Sequence, residues 1–157
     1  MKSDAPIKIK DESHATMCMT CQHYADILRG MGVSNRKTYD LEMDTVLPFV
    51  PKEFERDLVR GMFDGDGSIC IFKYDYFKKH TFHLGFTCKL SVCEYVEKVF
   101  DLHTKMQHEK TDFYTVRSSC RADIVRIGHF MYDDATIYLD RKKAAFDQIY
   151  ALVEADI

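Results

Sequence analysis

Hydrophobic positions recur at helical spacing in four stretches of the second part of the chain. In the first stretch Phe54, Leu58 and Met62 form an i, i+4 row that runs beside Val59 and Phe63. We therefore predict an amphipathic helix with this face buried. The same spacing predicts three later helices, over residues 91–102, 121–132 and 139–153.

Alternating apolar and polar positions between these helices are typical of strands. Residues 69–76 and 82–90 alternate aromatic, aliphatic and cationic side chains, which predicts a hairpin around a polar loop. A second, shorter strand pair is predicted over residues 106–109 and 113–119. Ser91 and Glu94 have the spacing of a capping box at the start of the helix that separates the two pairs.

The first fifty residues carry a weaker pattern. Residues 1–13 predict a loose arm or an irregular strand, residues 14–20 a short strand and residues 21–31 a helix that ends at Gly32. The strand-to-helix step resembles the one at residues 115–124, since both carry a threonine, then a cysteine and an Ala-Asp-Ile triplet. This similarity favours an internal repeat, although it is short enough to arise by chance.

Composition indicates a folded, soluble chain. Its 157 residues suit a single domain of ordinary size, and its content of 46% hydrophobic and 13% aromatic residues argues against disorder. The chain has neither a signal peptide pattern nor eighteen consecutive apolar residues, so we expect an intracellular protein without membrane partners, in cytoplasm, nucleoid or organelle matrix. The six cysteines are then reduced thiols, and Cys88, Cys93 and Cys120 are interpreted as small buried hydrophobes.

Charge is distributed unevenly along the chain. The net charge of −3 is unfavourable for contact with phosphates, which normally requires a basic surface. Residues 69–90 nevertheless carry four lysines against one aspartate, and the acids concentrate in residues 40–57. The predicted hairpin is therefore the candidate nucleic-acid surface.

Two acids held between glycines follow the first predicted helix. Gly61 and Gly65 are four residues apart, and without a Cβ each lets a second backbone approach closely. Asp64 and Asp66 stand at the C-terminal end of the same helix. The residues alone leave two interpretations open, a solvated Asp-Gly turn or a pair of carboxylates with a chemical role.

Residues 59–67, followed by Ser68 and Ile69, resemble the nine-residue signature of the LAGLIDADG homing endonucleases, and residues 50–54 resemble its usual lead-in. The resemblance implies an α+β fold with the element order αββαββα, in which four antiparallel strands form a DNA-binding saddle. Residues 51–157 would form this endonuclease-like domain. Residues 1–50 would be an N-terminal extension, the remainder of a first repeat without its own acidic helix.

The resemblance also implies a division of labour among the signature residues. In that family the last acid, here Asp66, binds a catalytic divalent cation such as Mg²⁺, together with the carbonyl of Gly65, and Asp64 is mainly structural. One carboxylate cannot hold two metals. Two signature helices packed through Gly61 and Gly65 would supply two, which implies a homodimer or a partner carrying a second signature helix.

The family further keeps a lysine near the start of the last helix, where a cation can stabilise the transition state. Lys142 is the candidate, and Lys37 is its counterpart in the partial repeat. The alternative for this stretch is a solvated helix start without a role.

Contact with double-stranded DNA is assigned to cationic and histidine side chains of the predicted hairpins and of the adjacent helix starts. These candidates are Lys73, Lys78, Lys79, His83, Lys89, Lys110, Arg117, Arg121 and Arg141. Their alternation with Tyr74, Tyr76, Phe82 and Phe86 favours binding over the alternative, a solvated sheet face of mixed charge.

Taken together, the sequence predicts a homing-type DNA endonuclease, of the kind carried by an intron or intein, that hydrolyses phosphodiester bonds with a divalent metal. The second hypothesis is a derivative that binds DNA or RNA without cutting, such as a maturase or regulator, and the third is an interaction protein that keeps only the fold. A zinc site is disfavoured because Cys18 and Cys21 have ligand spacing but lack a second matching pair.

Overall fold

The computed structural model describes residues 7–11, 14–17, 20–33, 41–74, 79–102, 106–109 and 112–155. At the N-terminus strand β1 (Ile7–Asp11) pairs antiparallel with β2 (His14–Met17), and helix α1 (Gln22–Gly30) follows. A regular strand thus forms where the sequence left a loose arm as one option.

The stretch before the signature contains more structure than the predicted connection. Helix α2 (Met43–Val46) buries both of its end residues, and two short 3₁₀ turns follow at Leu47–Phe49 and Lys52–Phe54. Helix α3 (Glu55–Asp66) begins only after the second turn, so the lead-in residues 52–54 are 3₁₀ rather than α-helical.

The remainder of the chain forms a sheet with helices on one side. The further elements are β3 (Gly67–Tyr74), β4 (Lys79–Lys89), α4 (Leu90–Val99), β5 (Gln107–His108), β6 (Phe113–Ser118), α5 (Arg121–Tyr132) and α6 (Asp140–Ala155). The four strands are antiparallel in the order β3-β4-β6-β5. From α3 to α5 the element order is αββαββα, as predicted, and α6 closes the chain.

The two faces of the sheet differ in what covers them. On β4 the side chains of Phe82, Leu84 and Phe86 are buried, while the alternate positions Thr81 and His83 are exposed. Buried residues of α3, α4, α5 and α6 belong to the same hydrophobic cluster as the buried β4 residues. The helices therefore cover one face, and we call the opposite one the open face.

Helix α3 buries a different stripe from the predicted one. Val59 and Phe63 are fully buried, as expected, but Leu58 and Met62 are only half-buried, and Phe54, which precedes α3, is 53% exposed. The prediction of a buried Phe54, Leu58 and Met62 row was wrong in this respect. The half-buried pair instead lines a groove described below.

The capping-box prediction for α4 was also wrong. The helix begins at Leu90, and its N-cap residue is Lys89. Ser91 therefore lies inside the first turn, where it cannot play the N-cap role of a capping box. The strand β4 passes into α4 without a loop.

Helix α1 and helix α5 begin in the same way, because each follows a strand and each has a cysteine, Cys21 or Cys120, at its N-cap. Their packing differs. Helix α5 buries five residues, whereas α1 buries none, and the apolar residues Tyr24, Ile27 and Leu28 of α1 are 37–48% exposed.

Within the described residues no helix combines the length and the hydropathy needed to cross a membrane.

Gly128 provides a test of the helix packing. A Cβ on this residue would lie 2.4 Å from a ring carbon of Phe146 and 2.3 Å from the Tyr150 hydroxyl. We predict that Gly128→Ala lowers the free energy of unfolding by about 1–3 kcal/mol, because the core must shift to accept the methyl group. Gly30→Ala is the matched control, since its Cβ would meet nothing within 4 Å. Equal urea midpoints for the two variants would contradict the packing of α5 on α6.

Candidate functional site

The two signature acids belong to the helix rather than to a turn. Helix α3 continues through Asp64 and Gly65 to Asp66, and β3 starts at the next residue. The solvated-turn interpretation is therefore wrong. Successive helical residues are rotated by about 100°, so side chains two positions apart point to nearly opposite sides of the helix.

Asp64 points into the structure and is held there. Its carboxylate accepts a hydrogen bond from the Tyr132 hydroxyl at 2.6 Å and one from the Leu139 backbone N–H at 2.9 Å. Burial, followed by the bond to Asp64, raises the pKa of Tyr132, so the phenol stays a donor at neutral pH. Asp64 thus joins α3 to the connection between α5 and α6.

Lys142 binds the same end of α3. Its side chain is 2% exposed, and its Nζ donates hydrogen bonds to the carbonyl oxygens of Phe63 and, at 2.6 Å, of Gly67. The ammonium also lies 4.8 Å from the centre of the Phe63 ring. A cation at this position complements the negative end of the helix dipole.

The buried position has a cost for the lysine charge. Burial lowers the pKa of Lys142, and neighbouring Arg141 adds to that effect. The carboxylates of Asp64 and Asp66 act in the opposite direction. The solvated-helix alternative for Lys142 is thus wrong, while Arg141, directly before it, is exposed.

Arg60, in the small-residue slot of the signature, also reaches the α5–α6 connection. Its side chain is buried and donates hydrogen bonds to the backbone carbonyls of Ile137 and Met131, at 2.9 and 3.0 Å. A third bond pairs it with Asp57 on its own helix. Helix α3 is therefore fixed to the C-terminal part of the chain along its length.

Asp66 has the opposite environment from Asp64. It is exposed, and within the described part of the chain no hydrogen bond or ion pair engages its carboxylate. It lines a groove of about 410 Å³ that runs along α3, with Leu58, Met62 and Cys88 among the other lining residues. We call this cavity the α3 groove.

Gly61 and Gly65 form the floor of the α3 groove on the helix side. Both are exposed, and a Cβ built on either would meet nothing within 4 Å. Nothing in the described part of the chain therefore requires glycine at these two positions. The contrast is Gly67, where a Cβ would lie 2.2 Å from the Phe63 ring.

The donors at the end of α3 match a hard divalent cation in kind but not in number. A carboxylate and a backbone carbonyl are the oxygen ligands that Mg²⁺ prefers. Asp66 and the carbonyl of Gly65 supply only two, and the described residues contain no cluster of three or more histidine, cysteine or acidic side chains suited to a metal.

Three of the predicted DNA-binding residues lie on the open face of the sheet. Lys79 and His83 are exposed on β4, and Arg117 of β6 pairs in register with Gly85 on the same face. The guanidinium of Arg117 lies 3.6 Å from a carboxylate oxygen of Glu109, with its side chain 63% exposed. These side chains can reach a bound phosphate backbone without rearrangement of the sheet.

Lys89 is at a β4 position whose side chain lies on the open face, but this side chain already has an ion-pair partner. It forms an ion pair with Glu42, and this hydrogen bond is the main reason that the pKa of Glu42 is lowered. The lysine side chain is only 26% exposed. The expectation that Lys89 is available to DNA is therefore corrected.

Two other candidates lie on the wrong side of the sheet. Lys73 pairs with His80, so it shares the face that the helices cover, at the outer end of the hairpin. The guanidinium of Arg121 lies 5.2 Å from the centre of the buried Phe82 ring and donates to the His80 carbonyl. Phe82 and Phe86 are core residues rather than part of a binding surface.

Lys37, Lys78 and Lys110 lie outside the described residues, as do Cys18 and Tyr76. The periodicity around Tyr132 indicates a structural residue, but its partner Asp64 is 68 positions away, so the bond between them could not be predicted. Cys88 was interpreted as a buried hydrophobe but is half-buried in the α3 groove, and Cys120 is exposed.

The hydrogen bond between Tyr132 and Asp64 can be tested directly. We predict that Tyr132→Phe lowers the free energy of unfolding by about 1.5–3 kcal/mol, the usual loss for a bond to a charged acceptor. Tyr138→Phe is the control, because that side chain is 40% exposed. The measurement is urea unfolding at pH 7. A loss in the control as large as that in Tyr132→Phe would show that Asp64 is not held by the phenol.

Comparison with known proteins identifies the fold. No protein-family model matches the chain, and no curated protein matches it. Among solved structures, the I-LtrWI LAGLIDADG homing endonuclease bound to target DNA is 19% identical, with a TM-score of 0.53 over 65% of this chain and 37% of that one. Meganuclease I-SmaMI bound to uncleaveable DNA is 14% identical, with a TM-score of 0.55 over 67% and 39%.

The LAGLIDADG meganuclease I-AabMI, solved with uncleaved DNA, is 12% identical, with a TM-score of 0.53 over 85% of this chain and 53% of that one. This chain therefore spans less than two thirds of the length of each of these three proteins. The matches agree with the observed element order and with the four-stranded antiparallel sheet. The chain has the fold of the LAGLIDADG homing endonucleases.

Proposed function

We propose that this chain is a DNA endonuclease of the homing type, which hydrolyses phosphodiester bonds of a long double-stranded target. The observation that carries the proposal is the different environment of the two signature acids. The Asp64 carboxylate accepts hydrogen bonds that hold the structure together, whereas the Asp66 carboxylate is exposed in a groove beside two glycines. A carboxylate that no described residue engages, at the end of a rigidly held helix, is suited to bind a metal.

Asp66 and the Gly65 carbonyl would hold a divalent cation, with Mg²⁺ as the expected ion. When bound, such an ion supplies an activated water and neutralises charge on the phosphate. The chain's own contribution is to orient the carboxylate. Because Phe63 and Gly67 are tied to Lys142, the backbone on both sides of Asp66 is fixed.

A second signature helix would complete the centre, from another copy of this chain or from a partner protein. The α3 groove supports this part of the proposal, because Gly61 and Gly65 leave room for a close backbone approach. Leu58 and Met62 offer the approaching helix an apolar surface. A second Asp66 would then stand near the first.

Lys142 in this proposal is a positioning residue rather than a group that touches the substrate. Its ammonium is buried and bonded to two carbonyls, so it would have to leave them to reach a phosphate. Arg141 is exposed at the start of α6 and is the better candidate for a cation that contacts DNA.

DNA would lie across the open face of the sheet. Lys79, His83 and Arg117 present their side chains there, and Phe72, 44% exposed, packs edge-on against the His83 ring at 5.2 Å. Cations can contact phosphates, and an exposed aromatic ring can contact the methyl group of thymine. Within the described residues few exposed cations lie on this face, and one of them, Arg117, is paired with Glu109, which favours modest affinity for unrelated sequences.

A derivative that binds DNA or RNA without cutting is the second candidate function. The observation that favours it is the incomplete metal centre, because one chain supplies one carboxylate and the described residues contain no further ligand cluster. The two candidates differ in a single property, cleavage in the presence of a divalent metal.

Asp66→Asn tests the metal role. We predict that it lowers the cleavage rate by at least about 100-fold while the gel shift of DNA is unchanged, because the amide keeps the shape of the side chain and loses its charge. The assay is cleavage of a randomised double-stranded library in Mg²⁺. Asp44→Asn, an exposed acid on α2, serves as the control and keeps wild-type cleavage.

Wild-type protein that shifts DNA but cuts no library member would support the non-cleaving candidate. Protein that neither cuts DNA nor shifts DNA or RNA would overturn both. Equal cleavage rates for the wild type and Asp66→Asn would show that Asp66 is not a metal ligand needed for cleavage.

Gly61→Ala tests the use of the α3 groove. We predict that this change raises the free energy of unfolding of the separated chain by about 1 kcal/mol, since alanine is the better helix former and the Cβ meets nothing. The same change weakens association of two signature helices. Stability is measured by urea unfolding of dilute protein, and association by sedimentation with and without DNA.

The control is Gly30→Ala, which also adds a Cβ in open space but lies outside the groove. It is expected to leave association unchanged. A wild-type chain that sediments as a monomer at every concentration, alone and on DNA, would contradict the homodimer. If Gly61→Ala associates as strongly as the wild type, the two helices do not pack through the α3 groove.

A further inference from the structure

Two cysteines meet where strand β4 passes into helix α4. Cys88 is the penultimate residue of the strand, and Cys93 lies in the first half of the helix. Their Sγ atoms are 3.0 Å apart. This distance is about 1 Å longer than the covalent bond of a disulfide, so the two free thiols are in direct contact.

The two thiols differ in access. Cys93 is fully buried, and its Sγ lies 3.2 Å from the carbonyl oxygen of Tyr114 and 3.7 Å from that of Cys88. Cys88 is half-buried and contributes to the wall of the α3 groove. A small solute in the groove thus has access to Cys88, whereas Cys93 is shielded from solvent.

We propose that Cys88 and Cys93 form an oxidisable dithiol, a modification site that a peroxide converts to an intramolecular disulfide. The proposal does not rest on the nuclease activity, and it concerns the separated chain, in which no second helix covers the α3 groove. It follows from the contact of the two sulfurs, from the opening of one of them into the groove and from the rigid elements that hold both.

The chemistry balances with hydrogen peroxide as the oxidant. The Cys88 sulfur attacks one peroxide oxygen, the O–O bond breaks, and the products are a sulfenic acid and one water. The Cys93 sulfur then attacks the Cys88 sulfur and displaces the hydroxyl, which leaves as a second water with the Cys93 proton. Two thiols are oxidised by two electrons, and one peroxide is reduced to two waters.

Trypsin provides a direct readout, because Lys89 lies between the two cysteines in sequence. Cleavage after Lys79, Lys89 and Lys98 releases residues 80–89 and 90–98 as separate peptides. Native protein is treated with hydrogen peroxide, the remaining thiols are alkylated under acidic denaturing conditions, and the digest is analysed by mass spectrometry. We expect these two peptides joined, two hydrogens lighter than their sum, and separated by reduction.

The reference is the same oxidation in about 8 M urea, a concentration that unfolds small domains. We expect the joined peptides to exceed any other cystine peptide by about 10-fold or more in the native protein, because the fold holds the sulfurs in contact. In urea the six cysteines should give mixed products.

Cys88→Ser and Cys93→Ser should each abolish the joined peptides, and Cys70→Ser, an exposed thiol on β3, should retain them. If Cys93→Ser fails to fold, Cys88→Ser gives the same test at a half-buried position. Absence of the joined peptides from oxidised native protein would overturn the proposal. An equal yield in urea and in native protein would overturn it as well.

Discussion

The end of helix α3 depends on one buried cation. The ammonium of Lys142 binds the carbonyls of Phe63 and Gly67, and between these two residues lie both signature acids. The Phe63 carbonyl also accepts the Gly67 backbone N–H, so the ammonium is its second donor, and the positive charge complements the helix dipole. The direct passage of α3 into β3 therefore needs no loop, and the orientation of Asp66 follows from a backbone fixed on both sides.

The two acids illustrate how helical geometry separates roles that sequence places side by side. Two positions along a helix correspond to about 200° of rotation, so one carboxylate faces the core when the other faces solvent. Asp64 satisfies the Tyr132 hydroxyl and the Leu139 amide, and Asp66 opens onto the α3 groove. Exchange of the two roles would require rotation of the entire helix, which the buried Arg60 bonds oppose.

From α3 onward, the sequence was sufficient for the order of elements because that order follows from local spacing. The αββαββα order and the α5 boundaries at Arg121–Tyr132 were predicted from periodicity. Contacts between distant residues were not predictable in this way. The acceptors of Lys142 lie 79 and 75 positions from it, and no local pattern marks a lysine as buried.

Strand register is a second feature that could not be predicted from local sequence. A shift of one residue in a strand exchanges its two faces, and the hairpin register that puts Lys73 opposite His80 also puts it on the covered face. Arg117 and Lys79 were placed on the open face by the same register. Alternation in the sequence shows that a strand has two faces, but the hairpin pairing decides which one the helices cover.

The long sequence separation of these contacts has a consequence for synthesis of the chain. Within the described residues, the hydrogen bonds that fix the end of α3 from outside the helix come from Tyr132, Leu139 and Lys142, and two more run from Arg60 to Met131 and Ile137. Translation proceeds from the N-terminus, so the acidic end of α3 leaves the ribosome long before its supports. Asp66 acquires its final orientation only when α6 has emerged, and a chain released before that point carries the whole signature without the support that orients it.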